Sequence, residues 1–340
     1  MEQIGSNARN WKGWAFAPFV PSPDFGRSGE ERILATGLAA KGKDVQIRPM
    51  NRRQFVRSVV ASVLASVPAS RLLALEAGAQ YVKDIGLQLY TLRDQLKADV
   101  QGTLKAVAEA GYKQVELFGF PDADALLKGA KDVGLKVNSS HFQWDSAVSP
   151  KDDSFADFLK IVDKASEAGL SHLVVPYLQD QYRATLDDYK KVAENLNKAA
   201  VKAKEAGIVL SYHNHAFEFK PLEGGKTGFD VFVEEFDAAQ FELDLFWLKV
   251  GGKDPAELIG KLAGRVSQIH LKDLKEGIEV PNFGGLPKDA FKEVGNGIIP
   301  TEPLLAAAAK AGVKHAHVEQ DQSPDPIASV KQSIKYLKSL

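Results

Sequence analysis

Six short strings of polar residues in this chain close runs of β-forming residues, and each carries groups that move protons or bind cations. They are Val115-Glu116-Leu117-Phe118, Ser139-Ser140-His141, Tyr212-His213-Asn214-His215 with Glu218 beyond it, Glu242-Leu243-Asp244, His270-Leu271-Lys272-Asp273 and His317-Val318-Glu319-Gln320-Asp321. Successive side chains of a strand point to opposite faces. His213 therefore shares a face with Ser211 and His215, His270 with Lys272, and Glu319 with His317, while Asp244 opposes Leu243 and Leu245. His213, Asp244, His270 and Glu319 can then converge from four consecutive strands. Two imidazoles and two carboxylates suit one divalent ion of the Mn²⁺, Zn²⁺, Co²⁺ or Fe²⁺ kind. Calcium would want more oxygen. Taken singly, each residue has a plainer reading as a hydrogen-bonded core histidine or a turn aspartate; the case for a site is the four together. His317 lies deeper in its strand and reads as structural. Asp273 and Asp321 are placed to hold neighbouring ligands by hydrogen bonds.

The elements that must position these residues repeat one unit. An apolar-periodic helix ends in glycine and a short strand follows, at Ala110-Gly111, Val133-Gly134, Ala168-Gly169, Ala206-Gly207, Ala263-Gly264 and Ala311-Gly312. Glycine suits the left-handed position just past a helix end. Strands are expected over 113–118, 135–140, 171–176, 208–213, 266–272 and 314–319, with two more over 85–90 and 240–246. Helical patterns lie between them, for example over 154–168 and 187–206. Eight strands alternating with helices over residues 80–340 predict one α/β domain, a closed eight-stranded β/α (TIM) barrel with parallel strands. An open doubly wound sheet is disfavoured, because no Gly-rich phosphate loop follows the first strand. Active sites of such barrels lie at the C-terminal strand ends, where the six strings fall.

Composition narrows the function classes. Of the 340 residues, 44% are hydrophobic and 26% charged, and the formal net charge is −1. No basic footprint marks a nucleic-acid partner. The chain has no cysteine, which removes disulfides, thiolate ligands and a cysteine nucleophile. The first residues read differently from the barrel. Residues 1–49 show no sustained apolar period and are expected to be a disordered upstream extension. Met50-Asn51-Arg52-Arg53-Gln54-Phe55-Val56 then resembles a twin-arginine export signal, followed by an apolar run to Leu75 and the small-residue site Ala77-Gly78-Ala79. Pro68 and Arg71 break that run, which argues against a membrane span of about 20 apolar residues. Residues 50–79 are therefore expected to engage the twin-arginine export machinery and place the protein in the periplasm.

Seven motifs together resemble the xylose isomerase-like barrel family over about residues 84–338. They are the strings at Val115, Ser139, Tyr212 to Phe219, Glu242 to Trp247, His270 and Val318, with Val294-Gly295-Asn296-Gly297-Ile298 before the last. That family includes sugar isomerases, ketose 3-epimerases, inosose dehydratases and, more distantly, endonuclease IV. The resemblance implies a metal held by Glu, Asp, His and Glu on strands five to eight. The last three fall on Asp244, His270 and Glu319. His213 stands at the strand-five position, with Glu218 or His215 as candidates to replace it. In the epimerases two glutamates act on opposite faces of the substrate, and this chain keeps one of them.

Three activities compete. The first is aldose–ketose isomerisation or epimerisation of a keto-sugar through an enediolate, with Glu319 or His213 as base and Lys272 helping to hold the charge. The second is elimination or hydration on a keto-sugar or 3-keto-glycoside, with one base and a separate acid such as His141. The third is metal-independent sugar binding without catalysis. The partner in each case is a small carbohydrate, and the sequence leaves the oligomeric state open. Glu116, His215, Glu218, Trp247 and Asn282 are the expected substrate contacts, with Trp144 a further ring that could stack on a sugar. The stretch 274–297, rich in Gly and Pro, is expected to form a long loop over the site, as a lid or as a passive excursion.

Overall fold

All six glycines expected at helix ends take positive φ, from 74° to 108°, in the computed structural model of the protein, which describes residues 78–340. At Gly111, with φ 108°, the backbone is one that L side chains rarely adopt, so the helix stops there and the chain enters the next strand. Eight strands follow this logic: β1 Gly86–Gln88, β2 Gln114–Phe120, β3 Lys136–Phe142, β4 His172–Val175, β5 Val209–His213, β6 Gln240–Asp244, β7 Val266–Leu271 and β8 His315–Val318. Each pairs in parallel with the next, and β1 closes on β8 through Gly86 opposite His317. The expected closed β/α barrel is the observed fold.

Local hydrogen bonds move some strand ends from where the sequence places them. β1 stops at Gln88, two residues short of Tyr90, because the Gln88 side chain accepts the Tyr90 N–H at 3.0 Å and starts a tight turn. β6 stops at Asp244, short of Phe246, because Asp244 Oδ1 accepts the Trp247 N–H at 2.9 Å and caps the helix Leu245–Val250. The helix expected over 187–206 is Leu186–Glu205. It opens on a capping box in which Thr185 and Asp188 satisfy each other's backbone N–H groups. Its apolar face, Tyr189, Val192, Leu196 and Ala200, is buried. Leu210, Leu243, Ile269 and Val318, on the outward faces of the strands, are buried as well. Each large side chain so buried stabilises the fold by roughly 1.5–3 kcal/mol.

The inside of the barrel is built differently. Branched apolar residues usually fill such interiors. Here Gln88, Glu116, Ser139, Glu242, Gln268, His270 and His317 are buried instead. Gly86 leaves the room: a Cβ there would lie 2.1 Å from His317 Cδ2.

The stretch after β7 is more ordered than a plain loop. Asp273–Leu274 pairs antiparallel with Phe291–Lys292. The Asp273 carboxylate accepts four backbone N–H groups, from Leu274 and Ile299 at Oδ1 and from Gly295 and Gly297 at Oδ2, all at 2.9–3.0 Å. Asp273, expected to steady a metal ligand, anchors this stretch instead. The export signal expected over 50–79 lies outside the described residues except for Gly78 and Ala79. Among the described residues no helix is long and apolar enough to cross a membrane.

Candidate active site

Barrel closure brings His213, Asp244, His270 and Glu319 together at the C-terminal ends of β5 to β8. One ligand atom from each lies within 4.8 Å of all the others, and all four residues are buried. Strand register sets this up, with Asp244 directly opposite His270 and His270 opposite His317. His270 Nδ1 stands 2.8 Å from Glu319 Oε2, and His213 Nε2 stands 3.6 Å from Asp244 Oδ2. The helix cap uses Asp244 Oδ1, while Oδ2 faces the Lys272 ammonium at 3.0 Å and His213 Nε2 at 3.6 Å. Two imidazole nitrogens and two carboxylates of this kind fit a borderline divalent ion.

Lys272 supplies the resident positive charge. Its Nζ lies 2.7 Å from Glu319 Oε2, 3.0 Å from Asp244 Oδ2 and 3.1 Å from Asp321 Oδ2. Burial opposes the ammonium, but Asp244, Asp321 and Glu319 hold its pKa well above the ordinary lysine value. Burial likewise opposes ionisation of Glu319, and Lys272 and His270 reverse this to keep its carboxyl well below the usual range. Asp321 is pushed up to about 6 by burial, against the pull of Lys272. Both of its oxygens accept from Lys272 Nζ, at 3.3 and 3.1 Å, so it meets that ammonium rather than the expected ligands.

A second carboxylate layer lies beneath. Glu242 Oε1 is 2.8 Å from His213 Nδ1, 2.9 Å from His141 Nε2 and 3.1 Å from His270 Nε2. Glu116 Oε2 is 2.6 Å from His270 Nε2 and 2.9 Å from Gln88 Nε2, and its Oε1 accepts from Ser139 and from Gln268 at 2.9 Å. Glu116, expected to meet substrate, is thus fully buried under the site with both oxygens occupied. His141, expected as a general acid, turns Nε2 down to Glu242. Sequence reasoning missed Glu242, Gln268, Ser139 and Gln88 as parts of the site. The signal for two of them was available: Glu242 precedes Asp244 by two residues and Gln268 precedes His270 by two, so each pair shares a face. His317 is buried, and neither ring nitrogen has a hydrogen-bond partner among the described residues.

The remaining expected contacts divide. His215 and Trp247 stand together at the mouth, ring centroids 5.2 Å apart, with His215 also 5.2 Å from His213 and Lys272 Nζ 5.8 Å from the Trp247 ring. The buried His215 Nδ1 and Trp247 Nε1 lack hydrogen-bond partners among the described residues. Asn282 does not join them. Its side chain accepts the Gly284 N–H within its own turn, and its backbone N–H donates to Val250 O. Trp144 is buried against Tyr182.

Glu218 lies on the helix-facing side of β5. It accepts from Tyr212 Oη at 2.6 Å and from the His215 N–H at 2.9 Å, so it does not replace the strand-five ligand. Burial pushes its pKa up to about 7, against the hydrogen bond from Tyr212. A carboxyl raised from 4.5 to about 7 on folding binds more protons when native. Stability from it is complete below pH 4.5 and is lost as pH rises through 7. The difference is roughly 3 kcal/mol. Urea titrations from pH 4.5 to 8 should therefore show the native protein losing stability relative to Glu218→Gln by about that amount; parallel curves for the two proteins would refute the assignment.

Comparison with known proteins agrees with the barrel fold. Residues 104–340 match the family model described as xylose isomerase-like TIM barrel. Inosose dehydratase of Mesomycoplasma hyopneumoniae is 26% identical over 264 residues, covering 70% of this chain and 87% of that protein. Inosose dehydratase of Clostridium perfringens is 26% identical over 262 residues, covering 69% and 88%. A crystal structure of a sugar phosphate isomerase/epimerase from Parabacteroides distasonis superposes with a TM-score of 0.63 at 27% identity, over 76% of this chain and 94% of that one. The family match covers more than half of the sequence and includes β2 to β8 with every candidate ligand. The chain belongs to the xylose isomerase-like TIM barrel family.

Proposed function

We propose that this chain is an enzyme that takes a proton from the carbon beside a carbonyl of a keto-sugar or keto-polyol, with a divalent ion held by His213, Asp244, His270 and Glu319. The convergence of those four ligand atoms within 4.8 Å at the catalytic end of the barrel carries the reading. The relatives are named for dehydration of an inosose and for isomerisation or epimerisation of sugar phosphates, and all of these reactions need that proton removed. The bound ion would supply Lewis-acid polarisation of the carbonyl. Glu319, held ionised by Lys272 and His270, is the base. Lys272 donates to the oxygen on which charge develops. His215 and Trp247 form an aromatic wall with polar edges, suited to a carbohydrate ring.

One observation favours elimination over two-base epimerisation. Epimerisation by two bases needs a carboxylate on each face of the substrate. Strand five offers His213, whose Nδ1 is tied to Glu242, and Glu218 faces away. A β-elimination needs Glu319 alone to take the proton; the electron pair left on carbon then forms the double bond as the β-oxygen departs, and that oxygen takes back the proton Glu319 removed, leaving as water or an alcohol. The deciding experiment measures metal content and then follows an inosose and a 3-keto-glycoside in D₂O. Loss of the leaving group with metal bound is the expected result. Deuterium at the α-carbon with no group released would make the enzyme an isomerase. Neither exchange nor bound metal would overturn the proposal.

On the sequence alone we also propose that residues 50–79 direct twin-arginine export to the periplasm. Fractionation of cells expressing the full chain should find the protein in the periplasm, and replacing Arg52 and Arg53 with lysine should retain it inside. Equal distribution of the two forms would refute this.

A further inference from the structure

One carboxylate oxygen in the barrel floor meets three imidazoles. Glu242 Oε1 lies 2.8 Å from His213 Nδ1, 2.9 Å from His141 Nε2 and 3.1 Å from His270 Nε2. An ionised carboxylate only accepts hydrogen bonds, so each of these nitrogens must carry its proton on the side turned to Glu242. For His213 that fixes hydrogen on Nδ1 and leaves Nε2 bare, facing Asp244 Oδ2. His270 is different: Nε2 lies closer to Glu116 Oε2, at 2.6 Å, and Nδ1 lies 2.8 Å from Glu319 Oε2, so both of its nitrogens face carboxylates and Glu242 does not select between them. The second oxygen of Glu242 is held in turn. Gln268 Nε2 donates to it, and also to Glu116 Oε1 at 2.9 Å and Ser139 Oγ at 2.8 Å. Glu242 has no exposed surface, and β-strand register sets it directly opposite His213. Two residues of one strand thus address one imidazole from both ends: Glu242 at Nδ1 and Asp244 at Nε2.

We infer that Glu242 is a positioning residue that fixes the tautomer of His213, so that the Nε2 facing Asp244 is the nitrogen able to bind a divalent cation. The inference rests on the metal reading proposed above. A histidine ligand needs its far nitrogen fixed by an acceptor, and loss of such a partner typically weakens metal binding by 10–100-fold. An amide in place of the carboxylate carries one acceptor oxygen and an NH₂ group. If the oxygen stays toward the imidazoles, the NH₂ group meets the Gln268 donor. If it turns to Gln268, the NH₂ group meets the imidazole protons.

The test uses the full chain and Zn²⁺ as a diamagnetic probe. Chelator competition gives the Zn²⁺ affinity of the native protein and of Glu242→Gln, and nitrogen-15 NMR of labelled histidine reads the ring tautomers. The expected result is an affinity loss of 10–100-fold in the variant. Hydrogen should sit on Nδ1 of His213 in the native protein and redistribute in the variant. An affinity within twofold of native would overturn the inference, and so would native His213 carrying its hydrogen on Nε2. The tautomer measurement needs only the native metal-free protein, so it decides the matter even where the variant fails to fold. Native protein that binds no Zn²⁺ would instead sink the metal reading, and the same spectrum would still decide what Glu242 does.

Discussion

Glu319→Gln should leave the barrel folded and lower turnover of a keto-polyol by about 10²–10⁴-fold, the usual contribution of a positioned base. The carboxylate of Glu319 follows the end of β8, beside Lys272 at 2.7 Å and His270 Nδ1 at 2.8 Å. The amide keeps the shape and can still accept from Lys272, so packing changes little. It cannot take up a proton, and α-proton exchange in D₂O should fall along with product formation. The two measurements together separate base from ligand. If the variant loses metal but exchange recovers at saturating Mn²⁺, Glu319 serves the ion and another group is the base. If exchange stays low with metal fully loaded, the base is Glu319.

His270→Ala should be the most damaging single change in the site. The ring carries the opposing hydrogen bonds of three carboxylates, Glu319 at Nδ1 and Glu116 and Glu242 at Nε2. Burial resists a charge on it, yet Glu242 and Glu116 hold its pKa well above the ordinary imidazole value. Removing one partner from a buried charged set costs about 3–5 kcal/mol, because the rest stay buried and uncompensated. For a domain of this size that lowers the thermal midpoint by roughly 6–20 °C. Bound metal should disappear with it. His317→Leu is the control. Its ring is equally buried, but among the described residues neither nitrogen makes a hydrogen bond and the nearest carboxylate, Glu116 Oε2, is 4.0 Å from Nδ1, so its removal should cost less than that of His270. Equal losses from the two substitutions would show that the network around His270 contributes nothing beyond packing.

The barrel and its catalytic end are legible in the sequence because both rest on local chemistry. Glycine past each helix marks where the chain must turn, and all six marked positions have the left-handed backbone. Period two along β5 to β8 places His213, Asp244, His270 and Glu319 on the inward face, and closure does the rest. What could not be read depends on contacts distant in sequence. Glu116 carries the same alternation as a substrate contact would, and only the closed barrel shows its oxygens taken by Gln88, Ser139, Gln268 and His270, the last 154 residues away. Glu218 sits five residues past His213 and looks like a substitute ligand. The chain turns after β5 so that its side chain meets Tyr212 on the opposite face. Asp273 beside Lys272 reads as a support for metal ligands, but its acceptors are claimed by backbone up to 26 residues later.

All seven histidines of the chain belong to the described barrel. Five are buried, and His215 and His315 are half-buried. Histidine is the side chain that ordinarily changes charge between pH 5 and 8. With no fully exposed imidazole, the outer surface of this protein has little to titrate there. The formal charge is −1 at pH 7 with histidine neutral, and the carboxyls that burial moves into this interval, Glu218 to about 7 and Asp321 to about 6, lie inside the barrel. The consequence is colloidal: with a net charge so near zero the protein is prone to self-association around neutral pH, and the outer surface offers few groups through which a small change of buffer pH could relieve it. Added salt, which screens attraction between unlike surface patches, is the effective lever for keeping the protein dispersed.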